Sequence, residues 1–155
     1  MQLFEGQLEK ISLQKLLFLF AQQQTEKVYD FVPYKFGCFS YTANADLIAM
    51  ATKGLIEDSE NQYKSNDKSD YIKLLKENDR KQLQEIKLIY GNMSSSALMK
   101  HTYINFPYWA IKSVTAEKIL TAEQFEKVEK SKPIGTETIL FTIGYEGVSL
   151  EEYLN

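Results

Sequence analysis

Apolar positions in the first part of the chain recur at helical spacing. Across residues 7–24, Leu13, Leu16, Leu17 and Phe20 share one face, and Phe18 and Leu19 carry the apolar arc around much of the cylinder. A helix apolar on more than one side belongs inside a core rather than on its surface. Ser12 is a candidate cap or an interior residue, and the polar run Gln22, Gln23, Gln24, Thr25 ends the helix.

The pattern then changes. Residues 28–35 mix aromatic and β-favouring side chains with Pro33, and Gly37 permits a backbone turn that other residues resist. Ser40 is a natural N-cap, its hydroxyl oxygen accepting an orphan backbone N–H of the helix that follows. Residues 41–53 contain neither Pro nor Gly, and their alanines favour a helix. Ala43, Leu47, Ile48, Met50 and Ala51 form its broad apolar side, with Thr42, Asp46, Ala49 and Lys53 on the other. Gly54 stands where a glycine commonly closes a helix. Residues 55–58 and 62–65 read as short strands around a polar turn at 59–61. Capped helix, glycine and hairpin in that order are the plan of a recognition helix and its wing.

Residues 66–70 are polar, a linker or a helix start, and residues 71–90 read as one long helix. Its apolar positions are Tyr71, Leu74, Leu75, Leu83, Ile86, Ile89 and Tyr90, and Lys73 with Glu77 and Lys81 with Glu85 are opposite charges one turn apart. Gly91 and Asn92 stop this helix, and Ser94, Ser95 and Ser96 offer caps for another reaching about Tyr103. The densest aromatic run, residues 103–111, is broken by Pro107. Short helices are expected at residues 116–120 and 122–130, the second opened by a capping box of Thr121 and Gln124. Residues 131–136, with Pro133 and Gly135, read as a linker.

At the end of the chain, residues 138–143 (TILFTI) read as a strand, followed by a turn through Gly144 and Gly147 and a helix capped by Ser149. A strand apolar on both faces needs neighbours on both. No earlier segment is an obvious partner, so a second, α/β domain is expected to begin here, with most of it absent.

Composition narrows the function classes. A chain of 155 residues suits one domain with a real core. Its net charge of −3 makes the whole no trap for polyanions. Up to Asn66 there are six lysines against eight acids, the wrong sign for non-specific attraction to DNA. The single cysteine, Cys38, excludes an internal disulfide and fits a reducing compartment. The longest apolar run, residues 16–21, is far too short to span a bilayer, and no basic-then-apolar leader opens the chain. A cytoplasmic protein with no membrane partner is expected.

Two stretches carry a resemblance. ILFTIGYEGVSLEEYL is similar to the opening strand, turn and helix of the bacterial domain-of-unknown-function family 488, over about the last eighteen residues. LQKLLFLF, followed by YDFVPYKFGCFSYTANADLIAMATKGLI, resembles the helix–turn–helix-like segment attached to some members of that family. It is also similar to SocA-like (Panacea) antitoxin domains, which share the LQKLL helix and the aromatic-glycine loop; this likeness covers roughly residues 8–65. The resemblance implies an architecture and no reaction.

Candidate chemistry is sparse. His101 is the only histidine, so one chain has no multi-histidine metal site, and no metal-ligand spacing joins it to Cys38. A Cys38–His101 nucleophile pair would need adjacency and an orienting group. A structural histidine beside Tyr103 and a buried filler cysteine are the simpler readings. The turn IGYEG follows a strand and precedes a helix, where backbone N–H groups can meet phosphate, but it lacks a complete phosphate-loop pattern and Glu146 would repel an anion.

The expected fold is mainly α with a small β-hairpin, winged-helix-like, plus the start of an α/β domain at the C-terminus. Residues 1–66 form the winged-helix-like module, 67–132 a helical extension packed on it, and 133–155 a linker and truncated domain start. The expected function is a non-catalytic regulatory or binding module needing no cofactor, with DNA binding through helix 41–53 and hairpin 55–65. The alternative is a protein-interaction or dimerisation module without nucleic-acid binding, whose partner includes a second copy of the chain. Partner contacts are expected at Lys35, Thr42, Asn44, Lys53 and Lys64. The helix is thin in base-reading donors: it lacks arginine, and Asp46 would face phosphate.

Overall fold

Helix α1 (Lys10–Gln23) is the axis around which the other elements pack in the computed structural model, which describes residues 1–135. It supplies side chains to three apolar clusters. Leu16, Phe18 and Leu19 pack with Cys38, Ile86 and Leu98; Ile11 packs beside Met99, Tyr103 and Val128; Leu13 packs with Leu47, Ile56 and Tyr63. This is why its apolar arc nearly encircles the cylinder. Phe18 is 0% exposed, and Phe31, Phe106 and Trp109 meet it edge to face at 5.3, 5.1 and 5.2 Å, the preferred geometry for aromatic quadrupoles.

The helix begins later than its periodicity suggests. Gln7–Glu9 form a strand, β1, with Leu8 turned inward between two exposed polar residues. That polar–apolar–polar alternation is a strand pattern three residues long, too short to stand out beside a helix. Glu9 is the N-cap with extended backbone, and Ser12 lies buried inside α1 rather than capping it.

A hairpin follows that the aromatic loop did not reveal. β2 (Val32–Tyr34) pairs antiparallel with β3 (Gly37–Phe39), with Pro33 opposite Cys38. Proline is tolerated because β2 is an edge strand. Gly37 takes a positive φ of 87°, as a residue in so tight a return requires.

α2 (Tyr41–Thr52) is capped by Ser40, whose Oγ accepts from the Ala43 N–H at 3.2 Å. Gly54, φ 71°, closes it. Ala43 and Leu47 are buried and Met50 and Ala51 half-buried, but Ile48 faces solvent. β4 (Ile56–Asp58) and β5 (Gln62–Ser65) form the expected hairpin. β1 adds to its other side, giving a three-stranded antiparallel sheet in the order β1-β5-β4. The fold is thus mainly helical with small antiparallel sheets.

The helix expected over residues 71–90 is interrupted. Tyr71–Leu74 form a 3-10 turn, Leu75 and Lys76 are extended, and α3 runs from Glu77 to Tyr90. Glu77 and Asp79 in its first turn complement the helix dipole, which favours a fresh start there. Tyr71 and Leu74 are exposed at the break, where Lys73 meets Asp70 at 3.0 Å instead of Glu77, and within α3 Lys81 pairs with Glu77 at 2.8 Å rather than Glu85. α4 (Ser95–Asn105) is capped by Ser94, and Pro107–Ala110 form a 3-10 turn. α5 (Ala116–Ile119) and α6 (Ala122–Lys130) follow, the latter with both halves of its Thr121–Gln124 capping box. The strand, glycine turn and helix expected over residues 138–155 lie outside the described residues. Among the described residues no helix is long and apolar enough to cross a membrane.

Candidate functional site

A pocket of about 250 Å³ lies where the N-terminal half of α1, the β2–β3 hairpin, the first turn of α2 and β5 converge. One polar clamp fixes much of its geometry. The buried Gln14 of α1 accepts from the Ser40 N–H at 3.0 Å and donates back to the Ser40 carbonyl at 3.4 Å. A single side chain thereby satisfies the residue that caps α2 and holds the start of that helix against α1. Gly37 supplies the close approach on the opposite side: a methyl group there would sit 2.5 Å from the Tyr103 ring and 3.4 Å from Lys15 Nζ.

Ile11, Tyr34, Phe36, Phe39 and Tyr63 give the walls an apolar character, while Lys10, Lys15, Lys35 and Asn44 bring polar groups. Lys15 is the unusual member. It is 1% exposed, and its Nζ donates to the Cys38 carbonyl at 2.9 Å. Burial pulls its ammonium below the ordinary lysine value, partly opposed by Cys38. Burial likewise pushes the Cys38 thiol up to about 11, against the pull of Lys15. Lys10 is answered by Asp58 at 2.6 Å and lies over the Tyr63 ring at 5.1 Å. Among the described residues no carboxylate is within ion-pair distance of Lys15 or Lys35.

The five residues expected to meet a partner divide. Lys35 and Asn44 come together in this pocket. Thr42 is exposed on α2, its Oγ1 3.4 Å from Ser40 Oγ. Lys53 is exposed at the far end of α2, nine residues and so about 14 Å along the axis from Asn44. Lys64 is exposed on β5, directly opposite Glu57 of β4 and Gln7 of β1. Neither Lys53 nor Lys64 lines the pocket.

Two other surfaces bear on function. The outward side of α2 carries Tyr41, Thr42, Ala45, Asp46, Ile48, Ala49 and Thr52, all exposed. Tyr41 is 59% and Ile48 54% exposed. Tyr34, Phe39 and Tyr41 form a ring cluster with centroids 5.0 to 5.9 Å apart, which extends the apolar surface onto the hairpin. Asp46 accepts from the Tyr29 hydroxyl at 2.9 Å, and burial together with this bond pushes that phenol up to about 12. The outer face of the three-stranded sheet holds Gln7, Glu9, Gln62, Lys64 and Glu57, two carboxylates to one ammonium.

Cys38 is buried on β3, whereas His101 sits on α4 against the Tyr90 ring at 5.0 Å and the Asn105 amide at 3.3 Å. Its neighbour in space is thus Tyr90. Among the described residues no group of three or more His, Cys, Asp or Glu side chains is placed to hold a metal ion. The sequence reading passed over Lys15, although its signal was present: it shares a helix face with Ile11, Phe18 and Leu19, and a charge inside an apolar stripe has to be buried or displaced. No protein-family profile, no curated protein and no solved structure matches the chain.

Proposed function

We propose that this chain is a non-catalytic binding module that docks a protein surface through the outward side of α2 and the adjoining ring cluster. One observation carries the reading: the side of α2 that would enter a DNA groove offers Tyr41, Ala45, Ile48 and Ala49, with its carboxylate, Asp46, engaged by Tyr29. Direct readout of bases needs Arg, Lys, Asn or Gln donors, and backbone affinity needs an excess of cations. Aromatic and aliphatic side chains gathered on one exposed face suit a protein interface instead. The likeness of residues 8–65 to SocA-like domains is compatible with a binding role.

DNA binding is the second reading, favoured by a Ser40-capped helix followed directly by a paired ribbon. Lys53 and Lys64 would be its phosphate contacts. The cross-strand position of Glu57 weakens it, since opposed residues on one sheet face lie within about 5.5 Å of each other.

The deciding experiment is fluorescence anisotropy of labelled random duplex at low salt, with static light scattering of the protein alone over a wide concentration range. No duplex binding at micromolar protein supports protein docking, as does a concentration-dependent mass that Ile48→Glu abolishes. A constant monomeric mass restricts the partner to a different protein. Saturable duplex binding that weakens with added salt and with Lys53→Ala overturns the protein reading in favour of DNA.

A further inference from the structure

The pocket against α1 has a property that docking at α2 does not use. A lysine ammonium has three donors; that of Lys15 donates to the Cys38 carbonyl and lies against the Cys38 thiol, with no carboxylate beside it among the described residues. The remaining donors belong to a side chain that is 1% exposed and that lines the cavity. A buried cation without a counter-charge is costly, and an anion entering beside it removes that cost. The wall contains no Asp or Glu. Lys10 is already engaged by Asp58, which leaves Lys15 and Lys35 as the cations facing the cavity without a carboxylate partner among the described residues.

We propose that this pocket binds a small organic anion: an apolar single-ring or short-chain body bearing one carboxylate or phosphate, held by Lys15 below, Lys35 at the rim and the Asn44 amide. The walls explain the apolar body. Ile11, Tyr34, Phe36 and Phe39 predominate over the polar groups, which is the usual make-up of a small-molecule site. The volume sets the size, since about 250 Å³ lies just below the range of pockets that take drug-sized ligands. Lys35 sits in the exposed turn between β2 and β3, which places its ammonium at the solvent edge of the cavity. Burial weakens the Lys15 ammonium, and an anion beside it supplies the opposite charge that favours the protonated form, so occupancy should strengthen its hold on the proton. The inference stands on the pocket alone and survives or fails independently of docking at α2.

The test is an NMR titration of the whole chain with benzoate, phenyl phosphate, the neutral isostere benzamide, and inorganic phosphate. Benzoate or phenyl phosphate is expected to bind saturably and to shift the Gly37, Cys38 and Asn44 amide signals. Benzamide is expected to bind at least about tenfold more weakly, the usual worth of a hydrogen bond to a charged group. Inorganic phosphate should also be weaker than phenyl phosphate, and the two anionic probes distinguish a carboxylate site from a phosphate site. Lys15→Met, which keeps the length of the stem, should lose at least about tenfold in affinity, while Lys130→Ala, at an exposed position of α6 outside the pocket, should leave it unchanged. If Lys15→Met does not fold, weaker binding by Lys35→Ala supplies the same readout. Equal binding of benzoate and benzamide overturns the proposal. So does no saturation by either anion up to about 10 mM, full affinity in both lysine variants, or shifts confined to the surroundings of Lys53 and Lys64.

Discussion

Gly37→Ala probes the packing that holds the hairpin against the helical half of the molecule. Two costs add at this position. The backbone φ of 87° is one that an L side chain resists, at about 1–2 kcal/mol. The new methyl would also sit 2.5 Å from Tyr103 Cε1. Tyr103 is 1% exposed, and its hydroxyl accepts from Ser113 Oγ at 2.8 Å, so the ring has little room to retreat. Overpacking of this kind costs about 1–3 kcal/mol, which makes the total about 2–5 kcal/mol. Gly54→Ala is the matched control: its φ of 71° brings the first cost, but no atom lies within 4 Å of the added methyl. Urea denaturation followed by the fluorescence of Trp109 gives both values by linear extrapolation. The first variant should be the less stable by about 1–3 kcal/mol. Adding Tyr103→Leu to Gly37→Ala should reveal a favourable coupling, since the smaller side chain relieves the clash. Equal destabilisation of the two glycine variants, or strict additivity with Tyr103→Leu, would refute the claim that Gly37 is required by contact as well as by conformation.

Other outcomes follow from the same packing. Phe18→Ala removes the ring on which Phe31, Phe106 and Trp109 converge and should cost about 3–5 kcal/mol in the same assay; a loss under about 1 kcal/mol, the typical effect of a point substitution, would mean that the cluster is not central. Gln14→Ala leaves the Ser40 N–H and carbonyl without their side-chain partner and should cost about 1–3 kcal/mol, whereas a neutral effect would show that water replaces the clamp. The buried Cys38 thiol should resist iodoacetamide at pH 8 and react promptly in denaturant; rapid labelling of folded protein would contradict its burial. Because its folded value is raised from 9.0 to about 11, the stability tied to its proton is intact below pH 9 and lost as the pH climbs through 11. Cys38→Ala should therefore show a shallower alkaline decline than the parent, and parallel curves would oppose this assignment.

Strong local signals in the sequence carried most of the architecture. The Ser40 cap, the closing Gly54, the hairpin at 55–65 and the Thr121–Gln124 box are each set by interactions within a few residues, and the apolar arc of α1 is legible from its helical period. What stayed hidden is set by distant partners. β1 is a strand because β5 offers it an edge more than fifty positions away, and three residues of alternation cannot announce that. The break before α3 reflects a competition between continuing a helix and restarting it at Glu77, and the residues on either side are good helix formers. The expected partner contacts come from a reading helix and its end (Thr42, Asn44, Lys53), its wing (Lys64) and the loop before it (Lys35), a pattern that favours exposed donors. Lys15 lies within the apolar stripe that defines its helix, where a charged side chain does not read as a contact residue.

The junction between Glu9 and Lys10 has a mechanical meaning. With no loop between β1 and α1, the ribbon's middle strand is laced to a segment that continues straight into the axle of the molecule. A flap carried only by its own hairpin could swing, and would have to be stilled by whatever gripped it. This one is splinted in advance, since Leu8 of β1 packs against the cluster that holds Phe18, so a partner seated on it would forfeit little freedom in ordering it.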